Sequence, residues 1–82
     1  MKKPAKPRLV MVTWVDSSSH DRWEYGPVEP ELIAIDSVGW LVHRDAKMLI
    51  LAPNMSRQER AGRCCSMTIP VGCVQKIRRI GP

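Results

Sequence analysis

The chain has 82 residues, a formal net charge of +5, three cysteines and an apolar fraction of 44%. This length gives one domain without room for a second core, and the apolar content is ordinary for a folded protein. The cysteine count excludes a disulfide framework, and no apolar run approaches the roughly 20 residues of a membrane-spanning helix. We expect a small soluble protein of a reducing cytoplasm, which gains stability by associating with other copies.

The charge is unevenly distributed along the chain. Residues 9–36 hold six of the eight acids and one base, a net charge of −5. The rest of the chain holds twelve bases and two acids, a net charge of +10. Such a polarised chain can bind polyanions with one surface or stack on copies of itself, although solvated charge that only maintains solubility remains an alternative.

The first half of the chain predicts two strands. Residues 1–8, which contain three lysines and two prolines, predict a flexible basic arm, and residues 9–82 a single domain. The sequence LVMVTWV at 9–15 predicts a strand that is apolar on both faces, as at an oligomer interface. Residues 16–30 predict a loop, and residues 31–43 a long strand with a bulge or bend at Gly39.

The second half predicts three shorter strands. A hairpin turn at 44–47 leads to a strand at 48–52, and a polar basic loop at 53–65 leads to another at 66–69. Residues 70–73 predict a single 3₁₀ turn before the last strand at 74–80. This order predicts an all-β fold, a small five-stranded bent barrel of Sm-like or SH3-like type.

Several short motifs resemble a group of small, functionally uncharacterised proteins of phages and prophages. The segments are VTWVDSSSHDRW at 12–23, DSVGWL at 36–41, LILAP at 49–53, TIP at 68–70 and VQKIRRI at 74–80. The resemblance implies a viral origin, and hence the cytoplasm of a bacterial host, but no reaction. The strand order is also similar to that of Sm-like barrels, which commonly form rings and bind RNA.

The stretch DSSSHDRW at 16–23 is the most polar part of the chain. Its Ser, His and Asp are too close in sequence to form a convergent catalytic triad, and no G-x-S-x-G motif is present. Hydroxyl and carboxylate groups suit ribose and base edges, and a tryptophan can stack on a base. The alternative is a structural loop whose side chains bind backbone amides. The candidate ligand-binding residues are Asp16, Ser18, His20, Arg22, Trp23, Ser37 and Trp40.

Basic side chains form a second candidate site, for nucleic-acid phosphates. They are Arg57, Arg60, Arg63, Lys76, Arg78 and Arg79. Binding through phosphates would be strongly salt-dependent, and no zinc finger or helix-turn-helix motif is present to give sequence readout. Cys64 and Cys65 are too close in sequence for the usual zinc knuckle, so we expect neither a metal nor a cofactor.

The sequence therefore favours a non-enzymatic, homo-oligomeric binding protein, with a ring as one assembly. Its ligand would be RNA or a free nucleotide, such as a host nucleotide signal that it sequesters. The alternative is a protein-interaction module that inhibits or recruits a host protein. An enzyme is the third hypothesis, and it is disfavoured because no complete catalytic set is visible.

Overall fold

A computed structural model describes residues 7–17, 21–28, 30–57 and 62–81 of the chain. Within these ranges the fold is all-β, with seven strands and one short 3₁₀ helix. The strands are β1 (Arg8–Asp16), β2 (Ile33–Arg44), β3 (Met48–Ala52), β4 (Asn54–Met55), β5 (Arg63–Cys64), β6 (Met67–Pro70) and β7 (Val74–Arg79). The flexible arm predicted at 1–8 lies outside the described residues except for Pro7 and Arg8, and Arg8 begins β1.

Five strands form one antiparallel sheet in the order β6-β3-β2-β1-β7. They correspond to the five strands that the sequence predicts. The two-residue strands β4 and β5 form a separate pair in the region predicted as a loop. A backbone hydrogen bond of 2.8 Å from Ser56 N to Gly62 O continues this pair beyond its last paired residues. The all-β prediction is thus confirmed.

The sheet is strongly bent, because its two edge strands are joined by a very short connection. The 3₁₀ helix Val71–Cys73 carries the chain from Pro70 in β6 to Val74 in β7. Four residue steps span at most about 14 Å, whereas the edges of a flat five-stranded sheet lie about 19 Å apart. Among the described residues β6 and β7 do not pair with each other, so the sheet is curled without being closed into a barrel.

Alternation along β1 separates a core face from an outer face. Val10 and Val12 are almost completely buried, and they form the core with Leu49, Leu51 and Ile69. Successive residues of a strand point to opposite sides, so Leu9, Met11 and Thr13 belong to the outer face. Residues paired across strands share a face, which places Trp40, Val38 and Asp36 of β2 on that outer face as well.

Gly39 lies where two strands approach closely, rather than at a bulge. It is buried, and a Cβ at this position would lie 3.2 Å from both Ala52 O and Leu51 Cβ. The irregularity in the pairing of β2 with β3 falls between Leu41 and His43 instead. A bulge or bend is predicted at Gly39, but the irregularity begins at least two residues further along β2. Gly39 itself allows the backbones of β2 and β3 to approach closely.

The segment between β1 and β2 extends away from the core. Its described residues, 21–28 and 30–32, are all exposed, and we call them the acidic arm. Trp23 is 89%, Tyr25 90%, Val28 90% and Leu32 72% exposed. No helix within the described ranges is long and apolar enough to cross a bilayer.

Candidate functional site

A concave surface that includes the predicted site residues Trp40 and Arg79 lies at the end of the sheet where β1 begins and β7 ends. It has a volume of about 440 Å³, within the usual size of ligand pockets. We call it the Trp40 cleft; its lining residues are Pro7, Arg8, Leu9, Trp40, Arg79, Ile80 and Gly81.

The pairing of the strands assembles this cleft. Leu9 of β1 lies opposite Trp40 of β2, while Val10 lies opposite Arg79 of β7. A hydrogen bond of 2.9 Å from Ile80 N to Leu9 O continues the contact beyond the end of β7. Three segments that are distant in sequence therefore meet at one end of the sheet.

The chemistry of the Trp40 cleft combines one aromatic ring with two permanent positive charges. Trp40 is half-buried on the outer face. Arg8 and Arg79 are exposed, and their pairing with Leu41 and Val10 places them on the core-side face at the same end of the sheet. Among the described residues that line the cleft there is no carboxylate side chain. Guanidinium groups bind phosphate through paired N–H donors, and an indole face stacks on a nucleobase.

Further basic side chains continue from the cleft along β7. Arg78 lies opposite Met11 and Lys76 lies opposite Thr13, which places both on the outer face. Asp36 is on the same face, where its Oδ1 accepts a 2.6 Å hydrogen bond from Thr13 Oγ1. On this face, Arg78 therefore lies nearer to Trp40, and Lys76 lies nearer to the Asp36 carboxylate.

The structure divides the predicted ligand residues between the two ends of the sheet. Asp16 ends β1 opposite Ile33, and Arg22 and Trp23 follow in the acidic arm. Trp40 lies seven residues further along β2 than Ile33, a separation of about 23 Å at the usual strand rise. Trp40 therefore shares a cleft with Arg79 and not with Asp16 or Trp23. Ser18 and His20 lie outside the described residues.

Two members of the predicted ligand set accept hydrogen bonds from other groups of the protein. Asp16 Oδ1 accepts a 2.8 Å bond from the backbone N–H of Ser17. Ser37 Oγ accepts a 3.0 Å bond from the indole N–H of Trp14. The Asp16 contact is of the kind that the structural alternative predicts, whereas the Ser37 contact joins β2 to the side chain of Trp14 in β1.

The predicted phosphate-binding residues form two groups. Lys76, Arg78 and Arg79 lie on β7, one edge of the sheet. Arg63 begins β5 and Arg57 follows β4, in the separate two-stranded pair, and Arg60 lies outside the described residues. Arg8 joins the β7 group through strand register, which is why sequence reasoning did not select it.

Cys64 and Cys65 form an exposed pair with their Sγ atoms 3.1 Å apart. The hydrogen bond to Cys64 and the nearby thiolate charge raise the pKa of Cys65. Within the described ranges, no three His, Cys, Asp or Glu side chains are grouped so that they could hold a metal ion.

A second polar cluster belongs to the β2–β3 turn. The Asp45 carboxylate accepts hydrogen bonds from Lys47 N and Met48 N, and Asp45 Oδ2 lies 2.7 Å from His43 Nε2. The His43 hydrogen bond and the two backbone bonds lower the pKa of Asp45 to about 2. These contacts fix the turn, and they do not extend to the Trp40 cleft.

Comparison of the chain with protein-family models, with curated proteins and with solved structures gives no match.

Proposed function

We propose that this protein is a non-enzymatic binding protein for a nucleotide-type ligand, with the Trp40 cleft as its contact site. The observation that carries the proposal is a half-buried indole in a cleft whose described lining residues include two arginines and no carboxylate. A base can stack on Trp40 on the outer face, while Arg8 and Arg79 bind phosphates that pass around the end of the sheet. None of the described residues that line the cleft carries a nucleophilic or general-base side chain.

Single-stranded RNA fits this surface better than a free nucleotide does. Arg78 and Lys76 continue the positive charge beyond the cleft on the outer face. In the sequence, Lys2, Lys3 and Lys6 directly precede the cleft residue Pro7. Proteins that hold single strands combine such a basic track with a stacking ring. A free nucleotide, such as a host signal that a phage protein would sequester, needs only the cleft.

The finer architecture belongs to the same proposal. The strand order β6-β3-β2-β1-β7, with a 3₁₀ helix joining the two edge strands, supports a bent barrel of Sm-like or SH3-like type. Small barrels of this kind present ligand surfaces on sheet faces and loops. The phage origin rests on the motif resemblance alone.

Fluorescence anisotropy with a labelled single-stranded RNA of about ten nucleotides tests the function, since this length is within the usual site sizes. Trp40→Ala should weaken binding by about 5- to 150-fold, the range of one lost base–aromatic stack. Trp23→Ala is the matched control and should bind as the wild type does, because Trp23 lies in the acidic arm. Equal loss in both variants, or no binding by the wild type to RNA or to mononucleotides, contradicts the proposal.

A second candidate function, a protein-interaction module, is favoured by the exposed apolar side chains of the acidic arm. Trp23, Tyr25 and Val28 are each at least 89% exposed, which is costly for side chains of this kind unless a partner covers them. Loss of a protein contact on mutation of the arm, with RNA binding intact, would support this function.

A further inference from the structure

Two adjacent cysteines form an exposed pair of thiols that does not line the Trp40 cleft. Cys64 ends the short strand β5, and Cys65 follows it in the link to β6. Their Sγ atoms are 3.1 Å apart, whereas successive side chains of an extended strand point to opposite sides. The backbone of this link therefore departs from a strand and brings the two sulfurs together.

The conformation of Cys65 accounts for the short distance. Its φ is 64°, and among the described residues it is the only one other than glycine with a positive φ. Strand pairing fixes the chain on both sides, since Cys64 pairs with Asn54 and Met67 pairs with Leu51. A strained backbone of this kind persists only where the surrounding structure imposes it, and it is common at functional sites. Here the strain holds two exposed thiols in contact.

Little movement is needed to join the two sulfurs. A disulfide bond is about 2.0 Å long, so the Sγ atoms have to approach each other by only about 1 Å. The Cα atoms of neighbouring residues, by contrast, are about 3.8 Å apart, closer than the roughly 4.4 Å at which most disulfides begin. Such a bond is strained, and strained disulfides are easily reduced. The pair therefore favours a bond that forms and breaks readily over a permanent structural link.

We propose that Cys64 and Cys65 are a redox modification site, which a small-molecule disulfide such as oxidised glutathione converts reversibly to a disulfide between the two neighbours. Disulfides that form in a reducing compartment are usually transient and often redox-sensing. The site is separate from the Trp40 cleft, so the proposal does not depend on RNA binding.

The reaction consists of two thiol–disulfide exchanges. The Cys64 thiolate attacks one sulfur of oxidised glutathione, forms a mixed disulfide and releases the first glutathione thiolate. The Cys65 thiolate then attacks Cys64 Sγ, forms the Cys64–Cys65 bond and releases the second glutathione. Two electrons pass from the protein to the reagent, and the protons of the two protein thiols end on the two glutathione molecules.

Two observations favour Cys64 as the attacking thiol. Cys64 and Arg63 line the same open cavity of about 320 Å³. Oxidised glutathione carries carboxylates, and the exposed guanidinium beside the thiol can bind one of them. The hydrogen bond to Cys64 and the nearby charge of that thiol raise the pKa of Cys65, so Cys65 keeps its proton longer. The mixed disulfide therefore forms on Cys64, and Cys65 displaces the glutathione.

Intact-protein mass spectrometry after incubation with oxidised glutathione detects the product. The wild type is compared with Cys73→Ser, in which only one intramolecular pair of cysteines is left. Both proteins should lose the mass of two hydrogen atoms without retaining glutathione, and an excess of reduced glutathione should restore the original mass. A stable mixed disulfide, a disulfide-linked dimer, or free thiols at every ratio of the two reagents overturns the proposal.

Single variants in the Cys73→Ser background test the order of the two steps. Cys65→Ser should stop at the mixed disulfide and retain the mass of one glutathione, whereas Cys64→Ser should stay largely reduced. Both side chains are exposed, so neither variant removes a core contact. Retention of glutathione by Cys64→Ser alone would contradict Cys64 as the attacking thiol.

The role of Arg63 is tested with a charged and an uncharged reagent. Arg63→Ala should slow the reaction with oxidised glutathione by about 1.5- to 5-fold, the range of one exposed ion pair. Its reaction with the uncharged 2-hydroxyethyl disulfide should be unchanged. Arg78→Ala removes an exposed arginine of β7 and is the matched control. Equal slowing with both reagents would contradict carboxylate binding by Arg63.

A soft metal ion is the other ligand that two thiols could hold. Within the described ranges no group of three His, Cys, Asp or Glu side chains completes such a site. Elemental analysis of protein purified without a chelator should therefore find less than one metal ion per chain. One tightly bound metal ion per chain, which protects both thiols from oxidised glutathione, would overturn the proposal.

Discussion

Trp14 of β1 donates its indole N–H to Ser37 Oγ of β2 at 3.0 Å, although the strand register places Ser37 opposite Val12. The bond therefore runs diagonally between the two strands, on the core side of the sheet. Trp14 packs against the core cluster, so this contact sets the position of a large aromatic ring. It assigns Ser37 a structural role where the sequence predicts a ligand contact.

Ser37→Ala should lower the free energy of unfolding by about 1–2 kcal/mol, because it leaves the part-buried Trp14 N–H without its acceptor. RNA binding should be unchanged. Urea denaturation measures the stability, and Ser66→Ala, at an exposed position, is the control. Normal stability combined with lost RNA binding would return Ser37 to the ligand site.

Gly39→Ala should destabilise the sheet by about 1–3 kcal/mol, the usual cost of overpacking a tight contact. The new methyl group would lie 3.2 Å from Ala52 O, and a paired backbone has little freedom to move away. Gly72→Ala is the matched control, since nothing lies within 4 Å of a Cβ at that position. Thermal unfolding of both variants distinguishes them, and equal melting temperatures would show that the β2–β3 contact can relax.

The β2–β3 turn should lose stability in acid through Asp45. Its pKa in the folded protein is lowered from 3.8 to about 2 by hydrogen bonds from His43 and from the backbone of Lys47 and Met48. A lowered carboxylate pKa contributes stability that is full above the unfolded value and is lost as the pH falls through the folded value. Protonation of Asp45 therefore weakens the turn between about pH 4 and pH 2.

Asp45→Asn tests this pH dependence. The melting temperature of the wild type should exceed that of Asp45→Asn at pH 5 and above, and the difference should shrink as the pH falls towards 2. Asp21→Asn removes one exposed negative charge elsewhere and serves as the control. A difference that does not change with pH would assign the effect of Asp45→Asn to geometry instead of charge.

The three cysteines should differ in reactivity. Cys64 and Cys65 are exposed, whereas Cys73 is half-buried and packs against the core. A maleimide reagent should therefore label two thiols quickly and the third only slowly. Cys64 Sγ and Cys65 Sγ are 3.1 Å apart, so together they can chelate a trivalent arsenical. The reagent should therefore remain bound to the Cys73→Ser variant and be lost from the Cys64→Ser variant. Retention by Cys64→Ser would mean that the two sulfurs do not act together.

Local sequence patterns predict most of the sheet. The β-branched run at 9–15 and the apolar run at 48–52 lie within strands of the structure, and the turn predicted at 70–73 contains the 3₁₀ helix Val71–Cys73. These features depend on residues close together in the chain. The pair β4–β5 was not predicted because strands of two residues are too short to show an alternating pattern.

The candidate site depends on register, which the sequence does not determine locally. Trp40 and Arg79 were predicted as site residues, but only the pairing of β1 with both β2 and β7 brings them to one cleft with Arg8. A shift of one residue in either pairing would change which face of the sheet each of these side chains occupies. The sequence analysis places Trp40, Asp16 and Trp23 in one ligand site. Only the register of β1 with β2 shows that Trp40 and Asp16 lie at opposite ends of the sheet.

The salt dependence of RNA binding is the most direct measurement of the central claim, that Arg8 and Arg79 bind phosphates beside Trp40. The logarithm of the RNA association constant should fall linearly with the logarithm of the salt concentration for the wild type. Arg8→Ala/Arg79→Ala should reduce that slope by about 1.4, at about 0.7 for each phosphate contact on a single strand. Arg57→Ala/Arg63→Ala should leave it unchanged. Equal slopes for the wild type and Arg8→Ala/Arg79→Ala, or a reduced slope only in Arg57→Ala/Arg63→Ala, would contradict the Trp40 cleft as the nucleotide-binding site.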